Sequence, residues 1–180
     1  MEYKDQERES FPLGFWKEHQ EAIRTRTVAG QAGRIVAGRL RPGTDLIPGI
    51  LEVARIHGVE TGLVNAFGSL AQARFSEGVQ PCADNPERAE RIPARTVTGP
   101  LEFICGQGKI GLPKDKEPVV HFHGLFVTPE GRLMGGHFFP GENPVWATFE
   151  VIIQEILGVE FDWRTDPEPG IPIMEALPKT

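Results

Sequence analysis

Two cysteines in 180 residues, Cys82 and Cys105, set the first limit on what this chain can be. They form no CxxC pair, so neither a redox motif nor a thiolate metal knuckle is expected, and free thiols in a reducing cytoplasm are the reading. Neither has a sequence neighbour that would lower its pKa, which argues against a cysteine nucleophile. Long apolar runs are also missing. No stretch approaches the roughly 20 residues that cross a bilayer, and the charged start, Met1 to Ser10, lacks the pattern of a signal peptide. Positive charge is in deficit: 19 Lys and Arg stand against 25 Asp and Glu, for a net charge of −6. Non-specific nucleic-acid binding draws its affinity from cations that neutralise phosphates, so this balance opposes it. The basic residues Arg24, Arg26, Arg34, Arg39, Arg41, Arg88, Arg91 and Arg95 are scattered, with acids nearby. With 39% hydrophobic and 24% charged residues, the chain reads as one soluble globular domain with no internal repeat.

What it does have is histidine in one place. Three of the five histidines fall between positions 121 and 137. The run Val119 to Val127 contains His121-Phe122-His123; Thr128-Pro129-Glu130-Gly131 turns; Arg132 to Phe139 contains Gly135-Gly136-His137. A strand turns alternate side chains to opposite faces, so His121 and His123 point the same way. The loop decides where His137 points. A two-residue loop would set Phe122 opposite His137, on the wrong face. A three-residue loop, Pro129-Glu130-Gly131, pairs Thr128 with Arg132 and therefore His123 with His137. Proline at the first turn position and glycine in the left-handed conformation suit the second choice. All three imidazoles then share one patch. Three neutral imidazoles with an open fourth position are a common way to hold a catalytic zinc. The competing reading is an unmetallated polar cluster, but histidines so placed would repel when protonated and need several acceptors when buried. His19 and His57 lack such company and are read as ordinary.

The rest of the pattern is mostly strand. Residues 1–32 form a charged arm in which Phe11 and the Phe15-Trp16 pair could dock. The domain proper spans 33–160 and opens on a strand, Arg34 to Leu40, stopped by Pro42-Gly43. Thr44 offers a helix N-cap with Asp45 in the first turn, Leu46, Ile50, Val53 and Ala54 recur at helical spacing, and Gly58 closes the segment. Thr61–Leu70, Ala71–Phe75, Leu101–Ile110 and Val145–Ile156 read as strands, the last with Val145, Ala147, Phe149, Val151 and Ile153 on one face. Residues 78–95 suggest an excursion loop or a short helix near Asn85 to Arg91. The Pro-rich tail, 161–180, should wrap the surface. The expected class is α+β, a mostly antiparallel sheet with one principal helix packed on it.

Several motifs invite chemistry. Gly106-Gln107-Gly108-Lys109-Ile110-Gly111 spells GxGxxG, but Leu112-Pro113-Lys114-Asp115 cannot begin the helix whose N-terminus would bind a pyrophosphate. These glycines are expected to let strands approach closely. Asn65 to Ser69 lacks the GxSxG elbow. Glu102 and Glu150 are acids within apolar strands: either solvent-facing carboxylates, or a general acid/base and a hydrogen-bond partner for a metal-bound imidazole.

Five segments in order resemble the plants-and-prokaryotes conserved (PPC) domain family, over roughly residues 33–160. They are Gly38-Arg39-Leu40-Arg41-Pro42-Gly43-Thr44-Asp45-Leu46, Ala66-Phe67-Gly68-Ser69-Leu70, His121-Phe122-His123, Gly135-Gly136-His137 and Thr148-Phe149-Glu150-Val151-Ile152. The resemblance implies a compact, mostly antiparallel domain, a homotrimer, and a histidine cluster that looks like a metal site near a subunit boundary in bacterial members. Plant members of that family add an AT-hook. Here Arg39-Leu40-Arg41-Pro42 resembles it only superficially, because Leu40 stands where the hook has glycine.

Two functions follow as expectations. In the first, His121, His123 and His137 hold zinc or another divalent transition metal, whose bound hydroxide hydrolyses or hydrates a small ester- or lactone-like metabolite. Glu102 or Glu150 would relay the proton, and Arg39 or Arg74 would pair with a substrate carboxylate. In the second, the protein is a DNA-binding or regulatory trimer with a structural metal. Net acidity favours the first.

Overall fold

The computed structural model describes residues 25–112 and 117–179. The arm with Phe11, Phe15, Trp16 and His19 lies outside the described residues, as does most of the turn after Leu112. Alternation of apolar and polar side chains drives the architecture. The strands are β1 (Gln31–Leu40), β2 (Thr61–Ser76), β3 (Val79–Pro81), β4 (Ala89–Arg91), β5 (Arg95–Gly111), β6 (Val119–Val127), β7 (Leu133–Phe138), β8 (Val145–Leu157), β9 (Val159–Thr165) and β10 (Pro172–Pro178). One helix, α1 (Leu46–Ile56), stands among them in the described residues. The fold is therefore predominantly β, with a helix shorter than the expected α+β balance suggests. That helix is neither long nor apolar enough to cross a membrane.

Six strands form one antiparallel sheet in the order β1-β8-β2-β5-β6-β7. The far end of β2 also pairs with β7, Phe75 with Phe138 and Ser76 with His137, so β2, β5, β6 and β7 close on themselves. Inside, Phe75, Phe103, Phe122, Phe126, Phe138 and Phe149 are fully buried and meet edge-on, stacked or tilted, with centroids 4.9–6.2 Å apart. Leu46, Ile50 and Ala54 of α1 are buried in the same core. The glycines of the GxGxxG segment lie within β5, and a methyl on Gly106 would stand 2.4 Å from the Phe122 ring. They make room for aromatic rings.

Several local expectations change. The helix N-cap is Asp45 rather than Thr44, and its carboxylate accepts from the backbone N–H groups of Gly141 and Asn143 instead of capping the helix. Tertiary partners outcompete the local cap. Thr61 to Ser76 is one strand with register shifts, not two. The excursion after it is a small hairpin, β3 with β4, turned at Asn85, whose side chain accepts from the Glu87 N–H; no helix forms there. On β8, Val145, Phe149, Val151 and Ile153 are buried as the alternation requires, but Ala147 is exposed. Phe161–Thr165 and Pro172–Pro178, expected as tail, are strand: β9 and β10 pair as a ribbon around Val159, Phe161 and Met174. The Pro-rich stretch 166–171 is only its turn.

Candidate metal centre

The β6-β7 hairpin closes as its loop chemistry demands. The Thr128 N–H donates to the Arg132 carbonyl at 3.0 Å, Gly131 takes φ +77°, and His123 pairs with His137. Side chains of β6 then alternate: Phe122, Gly124 and Phe126 enter the core, while His121, His123 and Leu125 face outward. Gly136, at φ +147°, lets β7 lie against β2; a methyl there would stand 2.0 Å from the Ser76 carbonyl oxygen.

The three imidazoles meet on the outer face. Nε2 of His121 lies 2.9 Å from Nε2 of His123, which lies 3.4 Å from Nδ1 of His137. One nitrogen from each ring falls within 4.8 Å of the others, and no described carboxylate or thiol joins the group. Two nitrogens bound to one tetrahedral zinc at about 2.05 Å stand about 3.3 Å apart. The observed spacings bracket that value. Burial is the main reason these rings stay neutral, holding His121 at about 4 and His137 at about 3. Neighbouring charge adds to it: His123 and Lys109 beside His121, and Arg91 beside His137. Burial and Arg91 lower His123 as well. At neutral pH three uncharged imidazoles therefore turn one ring nitrogen each toward a common point. That donor set could hold a metal ion.

Aromatic rings wall the cluster. Trp163 of β9 stands 5.0 Å from His121, and Phe139 stands 4.9 Å from His137. Arg91 of β4 and Arg74 of β2 each set a guanidinium over Phe139, at 5.7 and 5.8 Å. Beside His123 an open depression of about 260 Å³ is lined by Cys105, Gln107, Leu125 and Gly136. Cys105 is a free, exposed thiol and Cys82 a free, half-buried one.

The other residues expected at a catalytic site lie apart from the histidines. Glu102 faces outward but pairs with Val127, four residues along β6 from His123, about 13 Å at strand rise. Glu150 sits on β8, three strands from β6, about 14 Å at ordinary strand spacing. Arg39 is a strand further still and donates to the Thr148 hydroxyl at 2.8 Å. Arg74 comes nearest, but its guanidinium pairs with Glu142 at 3.5 Å. His57 caps the helix, as an ordinary residue would. Sequence reasoning passed over Arg91, Lys109, Phe139 and Trp163. Lys109 pairs with His121 across β5 and β6, a register that no local sequence pattern gives.

A family model for the Plants and Prokaryotes Conserved (PCC) domain matches residues 27–157. The bifunctional protein GlmU of Synechococcus sp. (strain JA-3-3Ab) is 30% identical over 141 residues, 76% of this chain. The chain spans only 20% of that relative's length. Among solved structures, a metal-containing protein from Archaeoglobus fulgidus superposes with a TM-score of 0.70 at 22% identity, over 84% of this chain and 99% of that one. A plant- and prokaryote-conserved protein from Pyrococcus horikoshii gives 0.65 at 26% identity, over 85% and 99%. A candidate DNA-binding protein from Ralstonia eutropha JMP134 gives 0.62 at 20%, over 79% and 90%.

Proposed function

The chain belongs to the Plants and Prokaryotes Conserved domain family, and on that premise we propose that it binds a divalent transition metal, zinc first, through His121, His123 and His137. The carrying observation is the convergence of three neutral ring nitrogens at 2.9 and 3.4 Å with no carboxylate among them. The metal-containing Archaeoglobus protein of the same fold supports the reading. When bound, such an ion supplies Lewis acidity and brings the pKa of a coordinated water toward about 7. The chain's own part is to keep the imidazoles unprotonated by burial and to fix them on two paired strands. It also leaves the depression beside His123 open to a small molecule. The activity this supports is hydrolysis or hydration of a small ester- or lactone-like substrate. Its proton transfers fall to solvent, because Glu102 and Glu150 do not reach the cluster. Outward apolar side chains on the same sheet, Phe67, Ile104, Leu125 and Ile152, support self-association, with the homotrimer that the family resemblance implies as the assembly; sedimentation equilibrium tests it.

Elemental analysis of the untagged protein, beside a His121→Ala/His123→Ala variant, tests the metal. About one ion per chain, lost in the variant, is the expected result. No metal in the wild-type protein after zinc is offered refutes the proposal.

Kinship with candidate DNA-binding proteins of this fold favours a second reading, a DNA-associated regulator with a structural metal. Against it, the net charge is −6, and the guanidinium groups of Arg34, Arg55, Arg74 and Arg95 are each paired with a carboxylate. Retention on duplex DNA that weakens steeply with salt would support this reading, and none at low salt would end it.

A further inference from the structure

The surroundings of the histidine cluster carry a charge pattern that the ligand set alone does not explain. Arg91 ends β4, and the next residue is tied to the strand that pairs with β7: the Ser76 hydroxyl on β2, opposite His137, donates to the Ile92 carbonyl at 2.6 Å. From there the Arg91 guanidinium lies 5.7 Å over the Phe139 ring, which in turn stands 4.9 Å from His137. Its charge acts on all three imidazoles. Arg74, on the same ring, has Glu142, and Arg95 has Glu77, but no ion pair engages Arg91 among the described residues. Across the cluster, Lys109 pairs in register with His121 and donates to the Met174 carbonyl at 3.4 Å. Three neutral imidazoles, two cations and, among the described residues, no carboxylate in the cluster leave a strongly positive site once a divalent ion is added.

We infer that Arg91, with Lys109 on the opposite side, selects a small oxyanion, a carboxylate or phosphate group, as the ligand at the cluster's open position. This rests on the metal reading and narrows it. A planar guanidinium held against an aromatic ring, with no carboxylate paired to it among the described residues, suits bidentate recognition of such a group. Arg91 here is a specificity residue: it replaces Arg39 and Arg74 in the role of substrate-carboxylate partner.

The test loads the full chain with Co2+ and titrates acetate, inorganic phosphate and the neutral isostere acetamide, reading the visible absorption of the cobalt. The wild-type protein should take cobalt and respond to acetate, phosphate or both, but not to acetamide; the relative affinities tell which oxyanion it prefers. Arg91→Gln should take cobalt equally well, which also reports that it folds, but bind the oxyanions roughly 10- to 100-fold more weakly. Arg91→Lys should recover part of the loss. Equal oxyanion affinity in Arg91→Gln, or equal response to acetamide, overturns this inference and leaves the metal reading intact. Failure of the wild-type protein to take cobalt or zinc overturns both.

Discussion

Gly136→Ala tests how tightly the histidine cluster depends on closure of the sheet. Two costs add at this position. The backbone sits at φ +147°, which side chains rarely adopt and which costs about 1–3 kcal/mol for a residue with a Cβ. The new methyl would stand 2.0 Å from the Ser76 carbonyl oxygen and 3.0 Å from the Glu77 Cα. Both are backbone atoms, so no rotamer change relieves the clash, and overpacking of this kind adds about 1–3 kcal/mol. The expected destabilisation is about 2–6 kcal/mol, or a Tm lower by roughly 4–24 °C at this chain length. Because Ser76 pairs with His137, prising β7 from β2 also displaces one of three ligands, and metal uptake should fall with stability. The control is Gly131→Asn. That glycine also has positive φ, +77°, but a side chain there meets nothing within 4 Å, and asparagine tolerates the conformation. It should cost no more than about 1 kcal/mol and leave metal uptake unchanged. Thermal denaturation with zinc titration reads both. A Gly136→Ala protein as stable and as metal-competent as Gly131→Asn would refute the claim that this contact closes the sheet and seats His137.

Two further perturbations separate the roles of the carboxylates. Glu155 accepts from Nε and Nη2 of Arg34 at 2.9 and 2.8 Å and from its backbone N–H at 3.1 Å, which holds its carboxyl down at about 2. Its contribution is complete above the ordinary value of 4.5 and is lost as pH falls through about 2. Glu155→Gln should therefore lower Tm by a few degrees at pH 7, with the gap closing between pH 4.5 and 2; a constant gap would show that the charge contributes nothing. Glu102→Gln and Glu150→Gln, both on exposed positions away from the cluster, should leave metal content unchanged and alter stability by less than about 0.5 kcal/mol. Loss of metal or of any esterase activity in either variant would return that residue to the site.

What could be read from the sequence and what could not divide along a physical line. The histidine geometry was legible because it needed only two local rules, the two-residue period of a strand and the loop length implied by Pro129 and Gly131, and the observed pairing of His123 with His137 follows from them. Parity assigns a residue to a face, but not to a place on it. Glu102 does face outward with His123, yet lies two outward positions away along β6; Glu150 faces outward three strands off. Reading them as partners of the imidazoles treated one face as one site. The residues that do surround the cluster arrive from elements remote in the chain: Arg91 from a hairpin first read as a loop or helix, Trp163 from a ribbon first read as tail. Their placement depends on β2 pairing with both β5 and β7, a long-range choice that no local pattern encodes. The clustering of three imidazoles on one hairpin can thus be read from sequence, whereas the charges that surround them cannot. The Arg91 hairpin, which supplies charge and no proposed ligand, is where substitution should change selectivity without emptying the site.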